Sequence, residues 1–154
     1  MTSKSPTSNI LENEANSPST ILVIFGASGD LTARKLAPAI FNLSLDGLLP
    51  SECFLIGYGR QKMSDAEFKA YLKDSLNAHS RRKIEGKAWD DLEHKICFHA
   101  GSYDDPKSFE QLKLKIEGIE KQLGFPLQCL FYISTPPGVF KPILENLGKS
   151  GLAK

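Results

Sequence analysis

The sequence predicts an α/β domain built on a doubly wound parallel sheet, and three observations predict it. Short runs rich in β-branched and aromatic residues alternate with longer stretches whose apolar residues recur at helical spacing. The runs are continuously apolar rather than alternating, as in strands buried on both faces. The first run closes on a glycine-containing turn that leads directly into a helix.

Ile21-Leu22-Val23-Ile24-Phe25 is the first strand, ended by Gly26. A helical stretch follows from about Leu31 to Leu45, with Leu36, Ile40 and Leu43 on one face. Pro38 lacks an N–H and its ring clashes with the preceding turn, so a kink or a restart of the helix is expected near it. Asp46-Gly47 stops this helix. Cys53 to Tyr58 form the second strand, with Gly59 and Arg60 at its carboxyl end. Ser64 and Glu67 have capping-box spacing and open a helix bearing Phe68, Tyr71, Leu72 and Leu76. A further helix spans about Ala88 to Lys95, and the third strand Ile96 to Ala100. A loop from Gly101 to Pro106 leads to a helix over Lys107 to Leu123, with Leu112, Ile116, Ile119 and Leu123 on one face. Gly124 and Pro126 end that helix. Cys129 to Ile133 form the fourth strand, closed by Thr135-Pro136-Pro137, and a last helix runs to about Leu147. Strands alternating with helices give a parallel sheet with helices on both faces. The Rossmann-like dinucleotide-binding order leads, and the flavodoxin-like order is the runner-up.

Composition narrows the function. The 154 residues are 41% apolar and 24% charged, enough for one core, and the formal net charge is +1. Such a balance gives no global attraction to nucleic acid or to an anionic membrane. No apolar run approaches the roughly 20 residues that span a bilayer. Residues 1–20 are rich in Ser, Thr, Asn, Glu and Pro and are expected to be a disordered leader, with the domain covering 21–154. Three unpaired cysteines and three histidines lack metal-ligand spacing, so no metal is expected, and a reducing, cytoplasmic compartment is the default. The chain breaks off after the fourth unit, so the domain is expected to be incomplete, with an apolar edge inclined to self-association.

The chemistry-bearing residues lie where the strands end. In Gly26-Ala27-Ser28-Gly29-Asp30-Leu31, Gly26 permits a sharp turn and Gly29 admits a phosphate where a Cβ would obstruct it. Free N–H groups and the helix dipole favour a pyrophosphate here. Ser28 adds a hydroxyl, and Asp30 is expected to cap the helix. The strict G-x-G-x-x-G is absent, and an ordinary tight turn is the competing reading. No Gly-Lys-Ser/Thr follows, which rules out a P-loop. After the second strand, the carboxylate usual for a ribose 2′-hydroxyl is replaced by Arg60. A guanidinium there suits a 2′-phosphate and hence NADP, with Lys62 adding charge. Taken in isolation Arg60 reads as a solvated surface residue, and its place beside the glycine turn is what favours the phosphate reading. Gly101-Ser102-Tyr103 and Thr135-Pro136-Pro137-Gly138 are loops at the same sheet edge, placed to border the adenine and nicotinamide ends, ordinary loops without a ligand being the other reading of both. No histidine has a carboxylate or nucleophile partner in the sequence, so no catalytic role is assigned to one.

Taken together, Phe25 to Lys35, Asp46-Gly47-Leu48-Leu49-Pro50, Gly57-Tyr58-Gly59-Arg60, Tyr103-Asp104-Asp105 and Leu130 to Pro137 resemble the amino-terminal part of the glucose-6-phosphate dehydrogenase family, in the family's order. The resemblance covers nearly the whole chain from Ile21. It implies an NADP-dependent oxidoreductase acting on a CH–OH group, which oxidises glucose 6-phosphate to 6-phosphogluconolactone in the oxidative pentose phosphate pathway. It implies that Gly26, Ala27, Ser28, Gly29, Asp30, Leu31, Thr32 and Ala33 cradle the pyrophosphate and that Arg60 binds the 2′-phosphate. Gly101, Ser102, Tyr103, Thr135, Pro136 and Phe140 complete the cofactor set, and Lys35 stands towards the substrate side, a surface helix lysine being its other reading. Thr32 replaces the usual Ala, and Phe140 stands where many members have Tyr and offers no hydroxyl. The family's E-K-P-F-G and R-I-D-H-Y-L-G-K-E stretches, the second bearing the general-base histidine, do not occur in these 154 residues. This chain alone is therefore expected to be inactive, and the full-length form to be a homodimer or homotetramer. The competing functions are a non-catalytic NADP-binding module and another dinucleotide-dependent reductase. The reductase reading would want a Tyr-x-x-x-Lys on a later helix, and Tyr58/Lys62 and Tyr103/Lys107 do not lie on one.

Overall fold

The computed structural model describes residues 18–50, 52–83 and 86–153. Four strands, β1 (Thr20–Phe25), β2 (Cys53–Gly59), β3 (Ile96–Ala100) and β4 (Gln128–Ile133), form one sheet in the order β3-β2-β1-β4. All pairs are parallel, with Thr20 beside Cys53 and Gln128, and Leu55 beside Ile96. β1 therefore lies at the centre between β2 and β4, which is the dinucleotide-binding order and excludes the flavodoxin-like one. The continuous apolar run of β1 follows from this: alternate residues face opposite sides, and both sides are covered.

On one face pack α1 (Ala37–Leu45), α2 (Asp65–His79) and α3 (Lys87–Glu93), around Ile24, Phe41, Phe68 and Phe98. On the other pack α4 (Pro106–Leu123) and α5 (Phe140–Ser150), around Val23, Phe25, Tyr58, Phe109 and Ile143. A short 3₁₀ turn at Pro137–Val139 leads into α5. Among the described residues no helix is long and apolar enough to cross a membrane.

Local chemistry accounts for the helix ends. The capping box forms at α2, where Ser64 Oγ accepts from Glu67 N and the Glu67 carboxylate accepts from Ser64 N. The neighbouring Asp65 accepts from Phe98 N of β3 at 2.8 Å and ties the helix start to that strand. Pro38 falls in the first turn of α1, behind a π-helical turn at Thr32–Leu36 in which Ala37 N donates to Thr32 O. The widened turn is the restart expected at this proline, because the helix changes hydrogen-bond register just before the residue that lacks a donor.

The expected leader lies, for residues 1–17, outside the described residues; Thr20 already belongs to β1. β4 pairs with β1 on one side, and its Leu130 and Tyr132 stand 48% and 41% exposed, which makes this edge the most apolar open part of the sheet.

His99, on β3, is buried against Tyr58, with Nε2 2.9 Å from Ser108 O. Burial lowers its pKa from the ordinary 6.5, the Ser108 carbonyl raises it, and Lys115 lowers it further. Below pH 6.5 the unfolded chain thus binds a proton that the folded chain resists. Stability should fall as pH drops through and below that value. Urea unfolding midpoints at pH 7.5 and pH 5.5 would show it, and His99→Gln should flatten the difference.

Candidate functional site

The carboxyl ends of β1, β2 and β4 open onto a cleft of about 260 Å³ lined by Gly26, Ser28, Gly29, Arg60, Gln61, Tyr103, Ser134, Thr135 and Pro136. Parallel strands that all end at one edge bring these loops together from positions more than a hundred residues apart.

The floor is the turn after β1. Gly26 has φ +82°, and a Cβ on it would lie 2.8 Å from Ser134 O. Its N–H and that of Ala27 donate to Tyr58 O, and Gly29 N donates to Gly26 O. Of the remaining N–H groups, those of Asp30 and Leu31 open the helix, where intrahelical acceptors are lacking, and that of Ser28 belongs to the turn before it. They are the donors available to an anion. Tyr71 of α2 donates to Gly29 O at 3.1 Å and fixes the turn from below.

The wall is the end of β2. The Arg60 guanidinium lies over the Tyr103 ring, 5.5 Å from its centroid. Tyr103 stacks in turn on Tyr58 at 5.7 Å. The Tyr58 hydroxyl donates to Ser102 O at 2.6 Å, and burial pushes its pKa up, so it stays a donor. Burial likewise raises the pKa of Tyr103, with Arg60 and the Gly26 backbone opposing. The ring is thus in contact with both Tyr58 and the guanidinium.

The far rim is the loop after β4. Among the described residues, the buried Thr135 Oγ1 has no hydrogen-bond partner. A buried hydroxyl left unpaired is costly.

The structure thus brings Gly26, Ser28, Gly29, Arg60, Tyr103, Thr135 and Pro136 into one cleft. The other candidates stand elsewhere. Ala27 and Thr32 are fully buried, and Thr32 Oγ1 donates to Gly26 O, so both support the turn from inside. Asp30 does not cap the helix: its Oδ1 accepts from Arg34 Nε at 2.7 Å, one turn on. The i, i+4 spacing offers the carboxylate a full charge in place of backbone amides. Leu31 is largely exposed, Ala33 is half-buried, and Lys35 and Lys62 point to solvent; none of the four lines the cleft. Gly101 packs against the Tyr58 hydroxyl and Ser108, and the Ser102 hydroxyl donates to Asp104. Phe140 is 37% exposed at the start of α5, outside the lining.

Gln61 and Ser134 line the cleft and are not among the residues marked out by sequence. Their signal is adjacency, since each neighbours a residue that sequence does single out. His79 and His94 are exposed, and His99 is turned to Ser108, so no imidazole faces the cleft among the described residues.

This geometry has known counterparts. A family model described as "Glucose-6-phosphate dehydrogenase, NAD binding domain" matches residues 23–154. The chain is 37% identical to glucose-6-phosphate 1-dehydrogenase of Chlamydia pneumoniae over 142 residues, 92% of this chain and 28% of that protein. It is 36% identical to the chloroplastic enzyme of Nicotiana tabacum, over 83% of this chain and 21% of the other. A solved structure of glucose-6-phosphate dehydrogenase in complex with its substrate glucose 6-phosphate superposes with a TM-score of 0.77 at 31% identity, covering 86% of this chain and 28% of that one. The chain thus spans about a quarter of the length of the relatives it matches. A parallel sheet in the order β3-β2-β1-β4, the glycine turn after its central strand and the family match over residues 23–154 lead to one assignment: the chain belongs to the glucose-6-phosphate dehydrogenase family and corresponds to its dinucleotide-binding domain.

Proposed function

We propose that this chain is the NADP-binding part of a glucose-6-phosphate dehydrogenase, which oxidises glucose 6-phosphate to 6-phosphogluconolactone. The observation that carries the NADP reading is Arg60, held over Tyr103 on the same cleft as the glycine turn. A guanidinium there pairs bidentately with a 2′-phosphate, where NAD would offer only a hydroxyl. The residues fit such a ligand. The Ser28 N–H, on the cleft lining, suits a pyrophosphate, Gly26 keeps the turn tight, and Thr135 stands on the opposite rim.

When bound, the nicotinamide accepts hydride; this chain's residues hold and orient it. Deprotonating a substrate hydroxyl as hydride leaves calls for a base near its working pKa. No described imidazole reaches the cleft. The chain by itself is accordingly proposed to bind coenzyme without turnover, the base and sugar-phosphate contacts coming from the part that the longer relatives carry. Cys53, Cys97 and Cys129 are unpaired thiols, which supports a reducing compartment such as the cytoplasm. A homo-oligomer of the full-length form is part of the same proposal.

The test is calorimetric titration of the purified chain with NADP⁺ and with NAD⁺. Tighter binding of NADP⁺ supports the reading. A folded chain that binds neither, or binds both equally, sinks it.

A further inference from the structure

Asn146 is out of character for its place. It lies on the buried face of α5 between Ile143 and Leu147, and is itself only 5% exposed. A primary amide in such a position is costly unless its polar atoms are used. Its Nδ2 donates to Tyr103 O at 3.0 Å, across 43 residues of sequence. The preceding carbonyl, of Ser102, is held by the Tyr58 hydroxyl from β2. Two successive carbonyls of the loop after β3 are thus clamped by two different elements. Asp105 closes the loop's far end by accepting from Lys107 N at the start of α4. The side chain that this clamp positions is the Tyr103 ring, with Tyr58 stacked on it and the Arg60 guanidinium over it. Arg60 is exposed and has no carboxylate partner among the described residues, so the ring is what orients it.

We infer that Asn146 is a positioning residue for coenzyme selectivity: by holding the Tyr103 carbonyl it fixes the aromatic platform on which Arg60 meets a ribose 2′-phosphate. The inference rests on the Arg60 reading above and deepens it. Asn146 acts through Tyr103 and touches no ligand itself. Its loss lets the loop shift, so the guanidinium loses its pre-set geometry while the glycine turn, built from other elements, keeps its own.

The test compares 2′,5′-ADP with 5′-AMP, two probes that differ by the 2′-phosphate, binding to the full 154-residue chain and to Asn146→Leu, Tyr103→Leu and Arg60→Ala. Asn146→Leu keeps the side-chain size and removes the donor. The expected result is a fall of about fivefold in the preference for 2′,5′-ADP, the worth of one cation–π contact. Affinity for 5′-AMP should fall less. In the Arg60→Ala background, Asn146→Leu should leave the preference where Arg60→Ala put it, because both act through one group. Equal losses for both probes would make Asn146 a merely structural residue and overturn the proposal, as would an undiminished preference. If Asn146→Leu does not fold, judged by its thermal transition, Tyr103→Leu decides alone: a preference retained without the ring overturns the proposal. A wild-type preference that survives Arg60→Ala overturns the 2′-phosphate reading, and this inference with it.

Discussion

Gly26→Ala is expected to remove dinucleotide binding and to cost the domain about 2–4 kcal/mol of stability. Two independent costs add here. The residue has φ +82°, a left-handed conformation in which a Cβ is disfavoured. The same Cβ would lie 2.8 Å from Ser134 O and 3.0 Å from the Thr135 methyl, and the first of these is backbone that cannot rotate away. Relief requires the turn to open or the loop after β4 to retreat. Either movement pulls apart the floor and rim of the cleft. Domains of this size are stable by only about 5–15 kcal/mol, so the change is a large fraction of the whole. Chemical unfolding measures the first effect, and titration with NADP⁺ below the unfolding midpoint measures the second. A variant with unaltered stability and affinity would show that the Ser134 loop yields freely and does not form part of the site.

Arg60→Ala is expected to weaken NADP⁺ binding by about tenfold to a hundredfold and to leave NAD⁺ binding nearly unchanged, since hydrogen bonds to a charged group are worth about 1.5–3 kcal/mol. The asymmetry is the informative part. Arg60 is exposed and contributes its side chain to the Tyr103 stack rather than to the core, so its removal leaves the fold intact. The NADP⁺ affinity of the native chain should also weaken with added salt, because the contact joins opposite charges at a solvent-facing site. Titrations at two ionic strengths with both coenzymes, for native chain and variant, separate these effects. An equal loss of both coenzymes would mean that Arg60 serves the adenine or the loop structure and not the phosphate.

Much of the fold is legible in the amino-acid sequence. β1 reads as a central strand because all five residues from Ile21 to Phe25 are apolar, and a strand covered on both faces must be. The start of α2 is written in Ser64 and Glu67, since a capping box depends only on atoms three residues apart. The restart before Pro38 and the place of Arg60 after β2 are equally local. Asp30 misleads for the complementary reason: capping and pairing with Arg34 are both local options, and the sequence does not rank them.

What the sequence determined by itself, then, is the succession of strands and helices, the parallel sheet, and the turn and arginine that mark one edge of that sheet as the candidate site. These follow from periodicity and from backbone demands within a few residues. Only the tertiary structure decided which candidates share a cleft. It joined Gly26 to Ser134, Arg60 to Tyr103 and Tyr103 to Asn146, and left Lys35 and Phe140 outside. Such choices depend on the distances between loops at the ends of different strands. Those distances are set by strand order and helix packing, which involve residues dozens of positions apart, and no local pattern encodes them.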